Sequence, residues 1–373
     1  MSPPNTGSPT ARSTRKSRRE RRLEPPFRVG LIGFGLAGAS FHAPFIAATP
    51  ELQLTFIVTS NPERQRDAAR EHPRAQIVAT VGELWAHERQ LDLVVIASPN
   101  RTHTPLALDA IARDLHVVVD KPFAPNIAEG RRVIAAADKR GVMLTVFHNR
   151  RWDGDFLTVQ RLIADGELGK LFRFESRFDR WRPVPRGGWR ESAAHEEAGG
   201  LLYDLGSHLI DQAILLFGVP SQVYAELDRR RPDIQVDDDV FLALTHANGA
   251  RSHLFMSVVV AMPNPRFRLL GSRAAYVKWG VDVQEAKLRQ GYRPGSPEFV
   301  EPKDQPGQIG VGDDVRPLPT IPGDYRRFYV GVTDAMRGVA PPPVDPHDAL
   351  AGLAVIEAAQ RSAAEARVVK LRA

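Results

Sequence analysis

Short apolar runs alternate with amphipathic stretches from residue 27 to about residue 150. Phe27–Ile32, Leu54–Val58, Ile77–Ala79, Leu91–Ala97, His116–Val119 and Val142–Val146 read as strands, and Leu91–Ala97 has the continuous apolar character of a strand covered on both faces. Between them, Ala39–Ala48, Pro62–Glu71, Val81–His87, Thr104–Asp114 and Ile127–Arg140 read as helices. This alternation predicts an α/β Rossmann domain with a doubly wound parallel sheet. Beyond residue 150 the rhythm changes. After a helix over Asp155–Asp165, strands follow one another at Leu171–Arg180, Gln222–Arg229, Val240–Thr245, Ser252–Ala261, Phe267–Leu270 and Ala274–Trp279. Asn248-Gly249 supplies a hairpin turn. The pattern predicts an α+β domain with a large, mostly antiparallel open sheet and helices on one face. Gly291–Gly323 holds seven prolines and reads as an extended loop, while Tyr325–Arg337 and Pro346–Ala366 read as helices that pack back on the body. The expected organisation is a tail over 1–26, a nucleotide-binding domain over 27–150 and a substrate and oligomerisation domain over 151–373.

Composition narrows the possibilities. The 373 residues are 43% hydrophobic and 25% charged, the balance of a globular protein. No run approaches the ~18 uninterrupted apolar residues of a spanning helix. There is no cysteine, which excludes disulfides, thiolate catalysis and Cys-ligated zinc or iron–sulfur centres. The net charge of +6 is unevenly spread. Residues 1–26 carry seven basic side chains (Arg12, Arg15, Lys16, Arg18, Arg19, Arg21, Arg22) against Glu20 and Glu24, a local charge of +5 that leaves +1 for the rest. With only Met1, Ala11 and Leu23 as hydrophobic residues, this arm cannot bury a core and is expected to be disordered. Such an arm can attract nucleic acid or anionic surfaces, but it reads more simply as a solvated tail. Its paired arginines mimic a twin-arginine signal; Glu24-Pro25-Pro26 and the glycine turn that follows argue against one, so a cytoplasmic location is expected.

The chemistry-bearing motifs begin directly after the first strand. Gly33-Phe34-Gly35-Leu36-Ala37-Gly38 is G-x-G-x-x-G between a strand and a helix. Gly33 permits the tight turn, Gly35 the approach of a pyrophosphate, and Gly38 close packing of helix on strand. The helix start then offers free N–H groups to phosphate. At the end of the second strand, Val58-Thr59-Ser60-Asn61-Pro62-Glu63-Arg64 lacks the acid that usually receives the ribose hydroxyls of NAD. Ser60 and Arg64 stand where a 2′-phosphate needs donors, which predicts NADP(H) in preference to NAD(H). Three more segments fall at carboxyl ends of strands, where a doubly wound sheet binds its ligand: Ala97 through His103 with Ser98 and Asn100, Asp120-Lys121-Pro122, and His148 through Asp153. A lysine at position 121 can meet a substrate hydroxyl or the nicotinamide ribose. Asp204 and His208 are four apart on an expected helix that follows Gly199-Gly200. A carboxylate there would orient the imidazole and favour its charged form, which suits a base that takes a hydroxyl proton. The same pair could chelate a metal, but no spaced third ligand accompanies it, so no metal site is expected. Trp181, Arg182 and Trp189 lie in a loop rich in Arg, Pro and Gly, and Trp181 could wall a polyol site or simply pack under the loop.

Together these residues resemble the Gfo/Idh/MocA family of oxidoreductases. The resemblance rests on Gly33–Gly38, Pro99-Asn100 with His103, Asp120-Lys121-Pro122, and Gly199-Gly200 with Asp204 and His208, and it spans residues 27–373. The family pattern is Glu-Lys-Pro; Asp120 keeps the charge and shortens the reach. The stretches VVVDKPF, FHNRRWDGDF and YDLGSHLIDQA are similar to the branch that contains NADP-dependent scyllo-inositol dehydrogenases. The resemblance implies that Lys121, Asp204 and His208 are catalytic. It also implies that Asn100, His103, Asn149, Arg151 and Trp152 lie near cofactor or substrate, and that the open sheet face forms a homodimer or homotetramer. The expected activity is hydride transfer between NADP(H) and a secondary alcohol or ketone of a cyclic polyol or sugar. Two rival readings are a catalytically weak NAD(P)-binding regulator that uses the basic arm on nucleic acid, and a reductase of the same fold acting on an imine or a tetrapyrrole.

Overall fold

The structure is a computed structural model that describes residues 24–185, 187, 191, 198–299, 302 and 305–371. The basic arm before residue 24 and Trp189 lie outside the described residues.

The first sheet consists of β1 (Phe27–Ile32), β2 (Leu52–Val58), β3 (Gln76–Val78), β4 (Leu93–Ile96), β5 (His116–Asp120) and β6 (Leu144–Phe147), in the order β3-β2-β1-β4-β5-β6. All its pairings are parallel. Every residue of β4 is buried, because helices cover both faces of the sheet. The alternation in the sequence therefore became a doubly wound sheet, with β1 and β4 flanking the point where strand order reverses. Ligands bind at that point in such sheets, outside the carboxyl ends of the strands.

The first helix differs from the regular one expected over Ala39–Ala48. Ala37–His42 forms a π-helical turn, and only Ala43–Ala48 (α1) is α-helical, with Pro44 in its first turn. The remaining helices of this half are α2 (Pro62–Glu71), α3 (Val81–Ala86), α4 (His103–Ala112) and α5 (Ile127–Arg140). Asn61 caps α2, its side chain accepting from the N–H groups of Glu63 and Arg64 at 3.0 Å each.

After α6 (Gly154–Ala164), β7 (Leu171–Asp179) enters the middle of a nine-stranded sheet. β7 is parallel to β10 (Arg251–Ser257), whereas β8 (Gln222–Asp228), β9 (Asp239–Thr245), β11 (Phe267–Gly271) and β12 (Ala275–Lys278) pair antiparallel with their neighbours. The sheet is thus mixed but mostly antiparallel. β9 and β10 form the hairpin expected around Asn248-Gly249, with Gly249 at φ +85°. The proline-rich stretch is a correction: it contains a hairpin of β13 (Gly307–Val311) and β14 (Asp314–Leu318), which extends the sheet at its edge. Gly312 makes that turn at φ +57°, and Pro317 is tolerated because β14 is the outermost strand.

One face of this sheet packs on a helix α7 (Ser207–Phe217) and on the long α10 (Pro346–Glu365), while α8 (Gln284–Arg289) packs on the π turn Ala37–His42 and α9 (Arg326–Met336) on α1 and on the turn at 149–152. α10 also reaches the first sheet's helices. Glu357 Oε1 accepts from the N–H of Ile127 at 2.7 Å, and Thr145 Oγ1 donates to Val344 O at 2.8 Å. These contacts bring β5, β6 and the start of α7 around one cleft.

Candidate active site

The glycine loop is shaped by contacts that leave no room for side chains. Gly33 has φ +99°, and a Cβ there would come 2.6 Å from Ala97 O. A Cβ on Gly38 would come 2.0 Å from Gly33 O, so only glycine lets the π turn lie against the end of β1. At Gly35 the nearest atom to a built Cβ is Arg64 Nη1 at 3.6 Å. The exposed Arg64 therefore stands against the open side of the loop, beside the exposed Ser60 at the end of β2. Backbone with space above it, flanked by a guanidinium, fits the phosphates of a dinucleotide.

Leu36 and Ala37 continue from this cradle into the wall of a cavity. Asp120, Lys121, Asn149, Asp204 and His208 line the same cavity. Its chemistry distinguishes it from two larger hollows. One, of about 540 Å³, lies by Thr49 and His72; the other, of about 730 Å³, lies by Arg361 and Lys370, and neither contains any of these residues.

Lys121 anchors the cavity. Its Nζ donates to Asp204 Oδ1 at 2.8 Å and to Asp204 O at 2.6 Å. Asp120 Oδ1 accepts from the N–H of Lys121 at 2.8 Å and lies 3.9 Å from His42 Nε2. Burial alone would raise the Asp120 carboxyl; His42, Lys121 and His103 outweigh it and hold the group below the usual carboxylate range. His103 is buried with Nδ1 2.8 Å from Pro122 O and Nε2 2.9 Å from Ser98 O, so it clamps the loops after β4 and β5 together. Ser98 Oγ pairs with Thr102 Oγ1 at 2.6 Å, and Asn100 Nδ2 donates to Ala198 O at 3.0 Å, tying the first half to the approach of α7.

His208 is set differently from the expected Asp204–His208 pair. Leu202–Gly206 is a second π-helical turn, so the fourfold spacing no longer stacks the two side chains as in an α-helix. The Asp204 carboxylate goes to Lys121, and His208 Nδ1 is buried without a hydrogen-bond partner among the described residues. Burial, then repulsion from Lys121, Arg150, His148 and Arg266, pushes the ring well below the ordinary histidine range. The imidazole is therefore neutral near pH 7, not held as a cation by Asp204. A neutral imidazole can accept a proton.

Three of the residues expected near substrate lie outside the cavity wall. Asn149–Trp152 is a 3₁₀ turn, which sends consecutive side chains to different sides. Asn149 and Arg150 face the cavity. Arg151 faces the interior, where Nε and Nη2 make a two-pronged pair with Asp211 at 2.9 and 2.7 Å, and Nη2 also meets Asp348 at 2.9 Å. Trp152 packs edge-on against Phe328 with ring centres 5.8 Å apart. Trp181 follows the end of β7 and is 57% exposed. Strand alternation turns it away from the side taken by Arg180.

The cavity also holds residues to which the sequence assigned no individual role: Phe41, Phe147, Arg150, Arg180, Glu285 and Arg289. Arg150 adjoined a residue that was chosen. Glu285 and Arg289 share a face of α8 at i and i+4, a spacing that on its own reads as a solvated ion pair.

Behind Arg150, the buried Asp153 accepts from the Tyr325 hydroxyl at 2.5 Å and lies 3.3 Å from Arg150 Nη1. Burial pushes its carboxyl up to about 7, with Arg150 opposing and Asp155 adding to the rise. The folded protein then keeps a proton that an unfolded aspartate releases near about pH 4. This group removes stability as pH climbs from about 4 to about 7. Urea midpoints across that range should show a downward contribution that Asp153→Asn abolishes. An unchanged slope in the variant would refute the raised carboxyl.

Among the described residues, no group of three or more His, Cys, Asp and Glu is arranged to hold a metal ion, and no helix is long and apolar enough to cross a membrane.

Comparison with known proteins adds two family matches. Residues 27–148 match the model described as oxidoreductase family, NAD-binding Rossmann fold, and residues 160–371 match its C-terminal alpha/beta domain. The oxidoreductase YdgJ of Escherichia coli is 40% identical over 90% of this chain and 96% of that protein. The scyllo-inositol 2-dehydrogenase (NADP(+)) IolW of Bacillus subtilis is 33% identical over 94% of this chain and 98% of its own length. Among solved structures, the Bacillus subtilis oxidoreductase yvaA superposes with a TM-score of 0.88 at 32% identity, covering 94% of this chain and all of that one.

Proposed function

Because the chain belongs to the Gfo/Idh/MocA family of oxidoreductases, we propose that it is an NADP(H)-dependent dehydrogenase acting on a secondary alcohol of a cyclic polyol or sugar. The observation that carries this reading is the placement of a neutral His208 and the Lys121–Asp204 pair in one cavity that opens from the glycine loop. The name of IolW supports the substrate class, and Ser60 and Arg64 support the phosphorylated cofactor.

Gly33, Gly35, Leu36, Ala37 and Gly38 would hold the pyrophosphate, with Ser60 and Arg64 at the 2′-phosphate and Ser98, Asn100, His103, Asp120 and Lys121 along the nicotinamide side. When bound, the nicotinamide supplies the hydride acceptor for oxidation and the donor for reduction. Lys121 donates to the substrate oxygen and stabilises the negative charge that develops on it. Asp204 holds Lys121 in place through two contacts. His208 takes the hydroxyl proton in oxidation and returns it in reduction.

A spectrophotometric panel of inositols and aldoses, run with NADP and NAD in parallel, tests this reading. Turnover of a polyol with NADP upholds it, and no turnover with either cofactor overturns it. Arg64→Ala should raise KM for NADP by roughly 10-fold, the loss of one charge-assisted contact, and leave KM for NAD within a few-fold. Equal effects on the two cofactors would refute the role of Arg64.

A further inference from the structure

Among the described residues, one cation of the cavity wall is left without a charged partner. Lys121, Arg150, Arg180 and Arg289 supply positive charge to the cavity wall, and Asp120, Asp204 and Glu285 supply negative charge. The acids are taken. Asp204 is held by Lys121, and Glu285 by both Arg150 and Arg289. Asp120 is held by the Lys121 N–H with His42 behind it. Arg180 remains. Among the described residues its guanidinium makes no hydrogen bond, ion pair or ring contact.

Arg180 is also rigidly mounted. It follows β7 directly, its N–H donates to Ser257 O at 2.9 Å, and its carbonyl accepts from Val260 N at 3.1 Å. Burial pushes its guanidinium below the ordinary arginine range, while Asp204 and Glu285 pull the other way without forming a pair. A largely buried cation costs free energy unless something pairs with it. A planar guanidinium aimed into a substrate cavity is suited to two-pronged recognition of an oxyanion.

We infer that Arg180 binds an anionic group of the substrate, so that the polyol or sugar carries a carboxylate or a phosphate in addition to the reacting hydroxyl. This rests on the proposed dehydrogenase reading and narrows its substrate class. The excess positive charge on the wall is neutralised by the ligand, and the anion fixes which carbon faces Lys121 and His208.

The test uses the full chain with NADP and matched substrates: glucose, glucuronate and glucose 6-phosphate, with myo-inositol as a second neutral compound. Wild-type protein, Arg180→Gln and Arg180→Lys are compared. In wild type, kcat/KM should favour an anionic compound over glucose by roughly 10-fold or more, mostly through KM, as expected for a charge-assisted contact. Arg180→Gln should shrink that ratio by roughly 10- to 100-fold, and Arg180→Lys should restore part of it. Preference for glucuronate or for glucose 6-phosphate tells a carboxylate from a phosphate. A wild-type preference for the neutral compounds, or an equal loss on both kinds in Arg180→Gln, would overturn the inference. Tryptophan fluorescence titrations with gluconate and with inorganic phosphate give a second readout that needs no turnover. Saturable anion binding that disappears in Arg180→Gln, without turnover of any compound, would uphold the anion site while the dehydrogenase reading fails. Turnover without saturable anion binding would do the reverse.

Discussion

Replacing His208 with Ala should lower kcat by about 10²–10⁴-fold, the range for a lost general base. The physical ground is the state of the ring. Burial and the surrounding cations keep it neutral, so it is ready to accept a proton at pH 7. KM for substrate should change far less than kcat, because a proton acceptor acts mainly in the transition state. The depressed affinity for protons also sets the pH profile. In oxidation, activity should persist to pH values below the ordinary histidine range and fall only when the ring finally protonates. Reduction needs the protonated ring, so its optimum should lie at lower pH than that of oxidation. Lys121→Ala should also collapse kcat, since it removes the donor to the substrate oxygen and leaves the Asp204 carboxylate without its 2.8 Å partner. Steady-state kinetics in both directions across pH check all of this. Wild-type turnover in both variants would sink the catalytic assignment.

Arg151→Ala should cost about 3–5 kcal/mol of folding stability, the usual cost of breaking a buried ion pair from one side. Its guanidinium is buried and meets two carboxylates, Asp211 on α7 and Asp348 on α10. Asp211 is the more dependent of the two. Burial would raise its carboxyl, and His148 together with Arg151 holds it below the usual range. Without Arg151 that charge is stranded. The loss should appear as a lower urea midpoint at constant slope, and Asp211→Ala should behave similarly. Arg151→Lys should recover only part, because an ammonium cannot reproduce the two-pronged contact. A variant of normal stability with a raised KM for substrate would return Arg151 to the binding site.

These two outcomes mark where the sequence was readable. The glycine loop, the lysine after β5 and the pair at 204 and 208 are local patterns, and each falls beside the same cleft. They are legible because a strand end, a tight turn and a helix start are set by neighbours within a few residues. The hairpin at Asn248-Gly249 is legible for the same reason. The hairpin at Gly312 was hidden behind prolines that the outermost strand accommodates. The two π turns were hidden too. No residue type announces one, and the turn at 202–206 redirects Asp204 from His208 to Lys121.

The sequence alone determined the order of elements, the parallel sheet and its glycine cradle, the segments that reach the cleft, and the concentration of positive charge in the first 26 residues. These follow from periodicity and from steric rules that act over short spans. Only the tertiary structure decided which charges cancel. Arg150 meets Glu285 across 135 residues, Lys121 meets Asp204 across 83, and Arg151 meets Asp348 across 197. Two adjacent arginines take opposite parts, one on the cavity wall and one as an interior tie. Arg180, indistinguishable in sequence from any other arginine in a basic stretch, is left over. Electrostatic pairing depends on distance in space and on burial, and neither is written in the local pattern.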